Sequence, residues 1–183
     1  FILKFIGYDK KIDLIINFSF TPNLYSSFEK ISLYHLMSPF TYTLIHIDTT
    51  HFFINFVSLL AFGSAIERKY HTSIYLITLI VSSVSGIFLH YLFYYNSDIP
   101  VIGASGGICG LMSFVIIDNL NMKEIHYGKI IKILILFISL FFLISIVDIL
   151  PSIKSQTIAW VVHTGGFISG IIIFITYKII YKK

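Results

Sequence analysis

Five stretches of the sequence are apolar over roughly the length that crosses a lipid bilayer. A membrane-spanning helix needs roughly 20 mostly apolar residues. The five stretches are residues 49–66, 72–95, 103–118, 130–149 and 155–178. Charged residues make up only 12% of the chain, against about 25% in soluble domains. So little polar surface cannot cover a soluble globule, and the sequence predicts an all-α, polytopic membrane helical bundle made of one domain over residues 1–183.

The first 47 residues do not follow this pattern. Residues 1–6 are apolar but too short to span a membrane, and we expect them to be the remnant of a first helix that brings the total to six. Residues 7–47 mix charged and aromatic side chains with Pro22 and Pro39. This composition predicts a long structured loop at the membrane surface that contains short amphipathic helices.

The positions of the basic residues predict an orientation. Arg68 and Lys69 follow the 49–66 segment, and further lysines lie after the 103–118 segment and at the C-terminus. The connections between these positions carry at most one lysine each. Because basic residues concentrate on the cytoplasmic side, we expect a cytoplasmic C-terminus and an outward-facing loop. With no transit segment visible, the sequence favours a bacterial cytoplasmic membrane. The net charge of +4 has no basic cluster behind it, so we expect no nucleic-acid partner.

Polar residues within the apolar segments concentrate at three places. Such residues are costly inside a bilayer and therefore indicate function. The places are residues 46–55, 103–107 and 162–166. The predicted orientation puts all three in or near the outer half of the membrane, as one shared site would require.

Ser105 is the candidate nucleophile. Glycines flank it within the Gly-Ala-Ser-Gly-Gly run, so the backbone turns freely and another chain approaches closely. Backbone N–H groups at the start of a helix are unpaired, and they face an anion that develops beside them. The simpler alternative is a serine that only caps the helix or packs against a neighbouring one.

His163 is the candidate base. Gly166 and Gly170 share its helix face, and Gly106 gives the serine-bearing helix a matching face of small residues. If the two faces pack together, the imidazole reaches the Ser105 hydroxyl and activates it. A histidine that only satisfies a hydrogen bond in the core is the alternative. No acidic residue in the membrane is obviously available for a triad, so the sequence predicts a dyad.

His51 and Asn55 lie four residues apart, on one helix face, and both are able to donate hydrogen bonds to an oxyanion. His46 lies just upstream. A zinc site formed by His46, His51 and His163 is the rival interpretation, but there is no HExxH motif and the serine motif would have no role. We expect no metal. The single cysteine, Cys109, excludes an intrachain disulfide and is interpreted as a packing residue.

Together these residues resemble the rhomboid family of intramembrane serine proteases. The resemblance rests on four motifs that follow one another along the chain. They are His46, His51 and Asn55; Gly63, Glu67 and Arg68; Gly103, Ser105 and Gly106; and His163, Gly166 and Gly170. Where many relatives carry Trp-Arg in the first loop, this chain has Met37-Ser38, and Cys109 occupies a position that is tyrosine in some bacterial members.

The resemblance implies a six-helix core in which Ser105 is the nucleophile and His163 the general base. His51, Asn55, Gly103 and His46 would serve the oxyanion or the substrate. Glu67 and Arg68 would form an ionic clasp at the cytoplasmic end. Substrates would be single-pass membrane proteins cut near the outer surface, with no cofactor, and residues 130–147 with their cap 150–156 would form a mobile gate.

Two other functional classes are open to a chain of this kind. A non-catalytic rhomboid-like protein would bind membrane clients, but such proteins typically lose the serine or the histidine, and this chain keeps both. A transporter or channel would tend to show inverted repeats and charged residues near the membrane midplane, and the sequence shows neither.

Overall fold

Seven α-helices account for most of the described chain. The computed structural model describes residues 8–26, 31–120, 126–148 and 159–181. The helices are α1 (Tyr8–Phe18), α2 (Leu33–Thr41), α3 (Thr49–Glu67), α4 (Thr72–Tyr94), α5 (Ser105–Asn119), α6 (Tyr127–Asp148) and α7 (Ala159–Tyr181). The expected first-helix remnant, the gate cap and the start of the last predicted span lie outside the described residues.

Within the described chain, three helices are long and apolar enough to cross a membrane: α3, α4 and α7. Helix α5 is apolar but has only 15 residues. The loop predicted over residues 7–47 holds α1 and α2, followed by the 3-10 turn Tyr42–Leu44 that leads towards α3.

Helices α4, α5 and α7 form the centre of the bundle, and glycines allow their close approach. A Cβ atom on Gly166 would collide with the Gly106 carbonyl oxygen, and one on Gly170 would collide with the Gly110 carbonyl oxygen. The two pairs keep the same spacing along both helices, so α5 and α7 run in the same direction. The glycine faces expected from the sequence therefore pack against each other. On the α4 side, a Cβ on Gly86 would lie 2.6 Å from the Val162 carbonyl oxygen.

Away from the glycines, aromatic side chains fill the core. Phe114 and Phe167 are fully buried. Phe137 of α6 stacks on Phe167 of α7 with 3.8 Å between ring centroids, and Phe114 meets Phe174 edge to face. These large aromatic side chains contribute to the apolar core that stabilises the bundle.

The bundle has two ends that differ in chemistry. We call the end that contains Ser105 the serine end and the end that contains Asp118 the aspartate end. At the aspartate end, Lys69 Nζ lies 2.7 Å from an Asp118 carboxylate oxygen, and the Tyr70 hydroxyl donates a 2.7 Å hydrogen bond to the same carboxylate. These contacts join the α3–α4 connection to the last turn of α5.

The ionic contact expected from Glu67 and Arg68 is formed by the next residue, Lys69. Arg68 donates from its guanidinium to the Ser64 carbonyl of its own helix, at 3.1 Å, and Glu67 is exposed. Helix α3 ends at Glu67 and Arg68 is its C-cap. The chain turns after that point, and the turn directs Lys69 towards α5.

At the serine end, the loop is tied to the segment that precedes α5. Phe20 and Val101 exchange two backbone hydrogen bonds, of 3.1 and 2.8 Å, in an isolated antiparallel bridge. The Asn23 amide also donates to the Asp98 carboxylate at 2.7 Å. The loop therefore lies at the same end of the bundle as the start of α5.

Candidate active site

Ser105 and His163 meet between the first turn of α5 and the first turns of α7. The Ser105 Oγ lies 2.7 Å from the His163 Nε2, within hydrogen-bond distance. Both side chains remain partly exposed. A Cβ on Gly106 would lie 2.8 Å from a methyl group of Val162, so only glycine there lets α7 come close enough for this contact.

The start of α5 follows a tight turn of the backbone. The N-cap residue is Ala104, and no side chain in the described part of the chain caps this helix. The preceding Gly103 has a φ of 106°, in the left-handed region that favours glycine. The chain thus enters α5 through a sharp turn, and the first N–H groups of the helix and its positive dipole end lie beside the Ser105 hydroxyl.

His51 and Asn55 lie against this turn. A Cβ on Gly103 would be 2.8 Å from the His51 Nε2 and 3.8 Å from the Asn55 Nδ2. The start of α3 is fixed by Asp48, whose carboxylate accepts a 2.8 Å hydrogen bond from the His51 backbone N–H. Three helices thus bring the predicted residues Ser105, His163, His51 and Asn55 to one place, with Gly103 between them.

His46 lies behind His51. Its ring packs edge to face on the His51 ring, with 5.0 Å between centroids, and on Phe52 at 5.5 Å. It is 8% exposed, and its Nε2 has no hydrogen-bond partner among the described residues. Burial, together with the neighbouring His51 ring, lowers the pKa of His46. The contacts of His46 are therefore those of a neutral ring that supports His51.

Tyr42 is a residue of the site that sequence reasoning missed. Its carbonyl accepts a 2.9 Å hydrogen bond from the Gly103 N–H, and its hydroxyl donates a 3.0 Å hydrogen bond to the Ser83 carbonyl of α4. The side chain is fully buried, and burial raises the pKa of its hydroxyl. Tyr42 is one of 12 tyrosines, in a loop rich in aromatic residues, and no local signal separates it from the others.

His90 of α4 is a second buried polar residue that sequence reasoning did not single out. It is fully buried, it packs against Tyr94, and both its ring nitrogens lack a hydrogen-bond partner among the described residues. Cys109 is 7% exposed and belongs to the apolar core. Within the described chain, no group of three or more His, Cys, Asp or Glu side chains is arranged to hold a metal ion.

Most of the chain matches the model of a known protein family. Residues 33–179 match the family model for the rhomboid domain. This range includes α2 to α6, the Ser105–His163 pair and most of α7. A search of curated proteins by sequence finds no match. The predicted all-α membrane bundle and the resemblance to the rhomboid family are both confirmed by this match.

Proposed function

The chain belongs to the rhomboid family, and from that premise we propose that it is an intramembrane serine endopeptidase that cleaves transmembrane proteins through Ser105 and His163. The single observation that carries the proposal is the 2.7 Å contact between the Ser105 Oγ and the His163 Nε2. A hydroxyl within hydrogen-bond distance of an imidazole is an activated nucleophile.

In the first step, the Ser105 oxygen attacks the carbonyl carbon of the scissile peptide bond. With its proton on Nδ1, the imidazole of His163 accepts the serine proton at Nε2 as the new C–O bond forms. The resulting imidazolium then gives that proton to the leaving amine nitrogen as the C–N bond breaks. The products of this step are a free amine and an ester between the substrate and Ser105.

The tetrahedral intermediate of this step carries a negative oxygen that needs hydrogen-bond donors. The uncapped start of α5 supplies the Ser105 backbone N–H and the positive end of a helix dipole. His51 and Asn55, packed on the Gly103 turn, supply side-chain N–H groups beside it. Donors fixed in advance in this way stabilise the transition state more than the ground state.

In the second step, water replaces the amine. His163 takes a proton from the water while the water oxygen attacks the ester carbon. The imidazolium then returns a proton to the Ser105 oxygen as the ester bond breaks. The carboxyl product leaves and the dyad is restored. The reaction consumes one water molecule and requires no cofactor.

The length of α5 supports a site below the membrane surface. Its 15 residues rise about 22 Å, less than the ~30 Å hydrocarbon core of a bilayer. We place the Asp118 end, where Lys69 forms its ion pair, at one membrane surface, and the start of α5 then falls short of the other surface. We propose that this second surface is the outer face of a bacterial cytoplasmic membrane, and that substrates are single-pass proteins cut near it.

The proposal is tested with purified protein in detergent and a model single-pass transmembrane substrate. Wild-type protein is expected to cleave the substrate and to react with a fluorophosphonate at Ser105, whereas Ser105→Ala abolishes both. Ser113→Ala is the matched control, because in the described part of the chain the Ser113 hydroxyl donates to the Gly110 carbonyl of its own helix. This control is expected to retain wild-type activity.

Cleavage that survives Ser105→Ala would overturn the assignment of the nucleophile. Wild-type protein that binds the substrate without cleaving it, and does not react with the fluorophosphonate, would instead favour a non-catalytic rhomboid-like protein that binds membrane clients.

A further inference from the structure

Tyr42 connects the loop to both sides of the site. It lies in the 3-10 turn Tyr42–Leu44, directly after α2. Its hydroxyl donates to the backbone carbonyl of Ser83 on α4, and its own carbonyl accepts from the N–H of Gly103, two residues before Ser105. One residue therefore joins a central helix to the turn that delivers the serine.

The hydroxyl of Tyr42 lies beside the space that glycine leaves on α5. A Cβ on Gly106 would lie 3.4 Å from the Tyr42 hydroxyl oxygen and 2.8 Å from Val162. Ser83, whose carbonyl receives the Tyr42 hydroxyl, also contacts Gly107 directly. Tyr42 is thus packed where α4, α5 and the residue before His163 meet, and its side chain is 0% exposed.

The Gly103 turn depends on contacts from outside itself. It has a φ of 106°, and one face is pressed against the His51 ring. Its N–H is held by the Tyr42 carbonyl at 2.9 Å. A shift of Tyr42 would therefore move the acceptor of this N–H, and with it the turn that aims the Ser105 N–H and hydroxyl.

We infer that Tyr42 is a positioning residue for the reaction: its hydroxyl, anchored on the Ser83 carbonyl, fixes the Gly103 turn and so orients Ser105 and its backbone N–H. The inference rests on the proposed peptidase function. The Tyr42 hydroxyl does not touch the reacting atoms in this arrangement, because it is directed to α4. It acts through the backbone.

The test is the variant Tyr42→Phe, which removes one hydroxyl and keeps the ring. The Ser83 carbonyl lies inside α4 and keeps its place in the helix ladder, so the variant is expected to fold. Because small displacements at a reacting centre cost up to about a hundredfold in rate, we expect kcat to fall by about tenfold or more. KM is expected to remain unchanged, and fluorophosphonate labelling of Ser105 is expected to slow in proportion to kcat.

Tyr25→Phe is the matched control. The Tyr25 hydroxyl also contacts a backbone carbonyl, that of His35, and a serine hydroxyl, that of Ser38, and both of these partners lie within the loop and away from the Gly103 turn. Both variants are expected to lower the thermal unfolding midpoint. Only Tyr42→Phe is expected to change kcat, and this separates positioning from a purely structural role.

The outcomes distinguish this inference from the proposed function. Wild-type protein without peptidase activity would contradict the proposed function. Active wild-type protein together with an unchanged kcat in Tyr42→Phe would overturn the inference alone. An equal fall of kcat in Tyr25→Phe would also overturn it, because general loosening of the loop would then explain the effect.

Discussion

The two ends of the bundle differ in how their polar side chains are paired. At the aspartate end, the Asp118 carboxylate accepts hydrogen bonds from Lys69 and Tyr70. At the serine end, the His46 Nε2 and the His51 Nδ1 are buried without a hydrogen-bond partner among the described residues. A buried polar group left unpaired costs about 1–3 kcal/mol. The aspartate end thus pairs its carboxylate, whereas the serine end keeps two imidazole nitrogens without a partner among the described residues.

At the serine end, the central helices are held together by backbone contact. Gly166 and Gly170 bring α7 against the carbonyl groups of α5, and Gly86 brings α4 against Val162. Close helix packing through glycine requires no polar partner and leaves the imidazole and the hydroxyl for chemistry. The comparison therefore predicts that the activity is sensitive to small changes of volume at the serine end and insensitive to loss of charge at the aspartate end.

The largest combined effect on activity and stability is expected from Gly166→Ala. The added methyl group would collide with the Gly106 carbonyl oxygen, so α5 and α7 must separate and the Ser105–His163 contact lengthens. We expect proteolysis to fall at least about a hundredfold and the unfolding free energy to fall by about 1–3 kcal/mol. Substrate cleavage and thermal unfolding in detergent measure the two effects.

Gly128→Ala is the control for this variant. A Cβ at Gly128 of α6 meets nothing within 4 Å, and alanine is the better helix former. Its activity and stability should equal or exceed those of the wild-type protein. A rate for Gly166→Ala within threefold of the wild-type rate would show that the serine end does not depend on this backbone contact.

Asn55→Ala is expected to have the next largest effect. Loss of one oxyanion donor costs about 10²–10³-fold in kcat, with KM little changed, because the oxyanion exists only along the reaction path. His51→Ala should behave similarly. His163→Ala removes the base and should eliminate turnover. Kinetics measured in parallel decide the matter: if Asn55→Ala were as damaging as His163→Ala, the division between donor and base would be wrong.

Much of the arrangement of residues at the serine end could be predicted from the local sequence. The helical period puts Gly166 and Gly170 on the same face as His163, and the structure brings that face against α5. Helix α3 likewise presents His51 and Asn55 together because they are four residues apart. Such features depend on a regular period, so a sequence suffices to predict them.

The aspartate end and the loop were harder to predict. The ionic contact was expected at Glu67 and Arg68 but is formed by Lys69, because helix ends are uncertain by one or two residues and α3 ends at Glu67, before the turn that carries Lys69. The contact between Tyr42 and Ser83 joins residues 41 positions apart. Its partner is a backbone carbonyl, which every residue has, so the sequence does not indicate which carbonyl is used.

A smaller effect, confined to stability, is expected from Asp118→Asn. Lys69 is 54% exposed in this ion pair, so the pair itself contributes less than about 1 kcal/mol. The hydrogen bond from Tyr70 to a charged acceptor adds to this, and we expect a total loss of about 1–2 kcal/mol. The kcat is expected to remain at the wild-type value.

Asp98→Asn is the control for Asp118→Asn. It makes the same change at an exposed hydrogen bond of the serine end, the one from Asn23, and should cost less than about 0.5 kcal/mol. A fall in kcat for Asp118→Asn without loss of stability would contradict the prediction that the aspartate end affects stability and not activity.

The smallest effect concerns alkaline pH. Burial raises the pKa of Tyr70 above its usual value of 10.0, and the hydrogen bond to Asp118 and the negative charge of Asp118 raise it further. Below pH 10, Tyr70 is protonated in both the folded and the unfolded protein, so this stabilisation is fully present. As the pH rises above 10, the unfolded state loses the proton first, and the unfolding free energy of the folded protein must fall.

Tyr70→Phe removes this titration. The unfolding midpoint of the wild-type protein should therefore decrease more steeply above pH 10 than that of Tyr70→Phe, and the slope for Asp118→Asn should lie between the two, because one cause of the raised pKa is gone. Thermal unfolding in detergent over a series of alkaline buffers measures the three slopes. Parallel curves for the wild-type protein and Tyr70→Phe would mean that Tyr70 is not coupled to Asp118, and that the aspartate end owes its stability to the packing of Tyr70 on Phe114 and Tyr177.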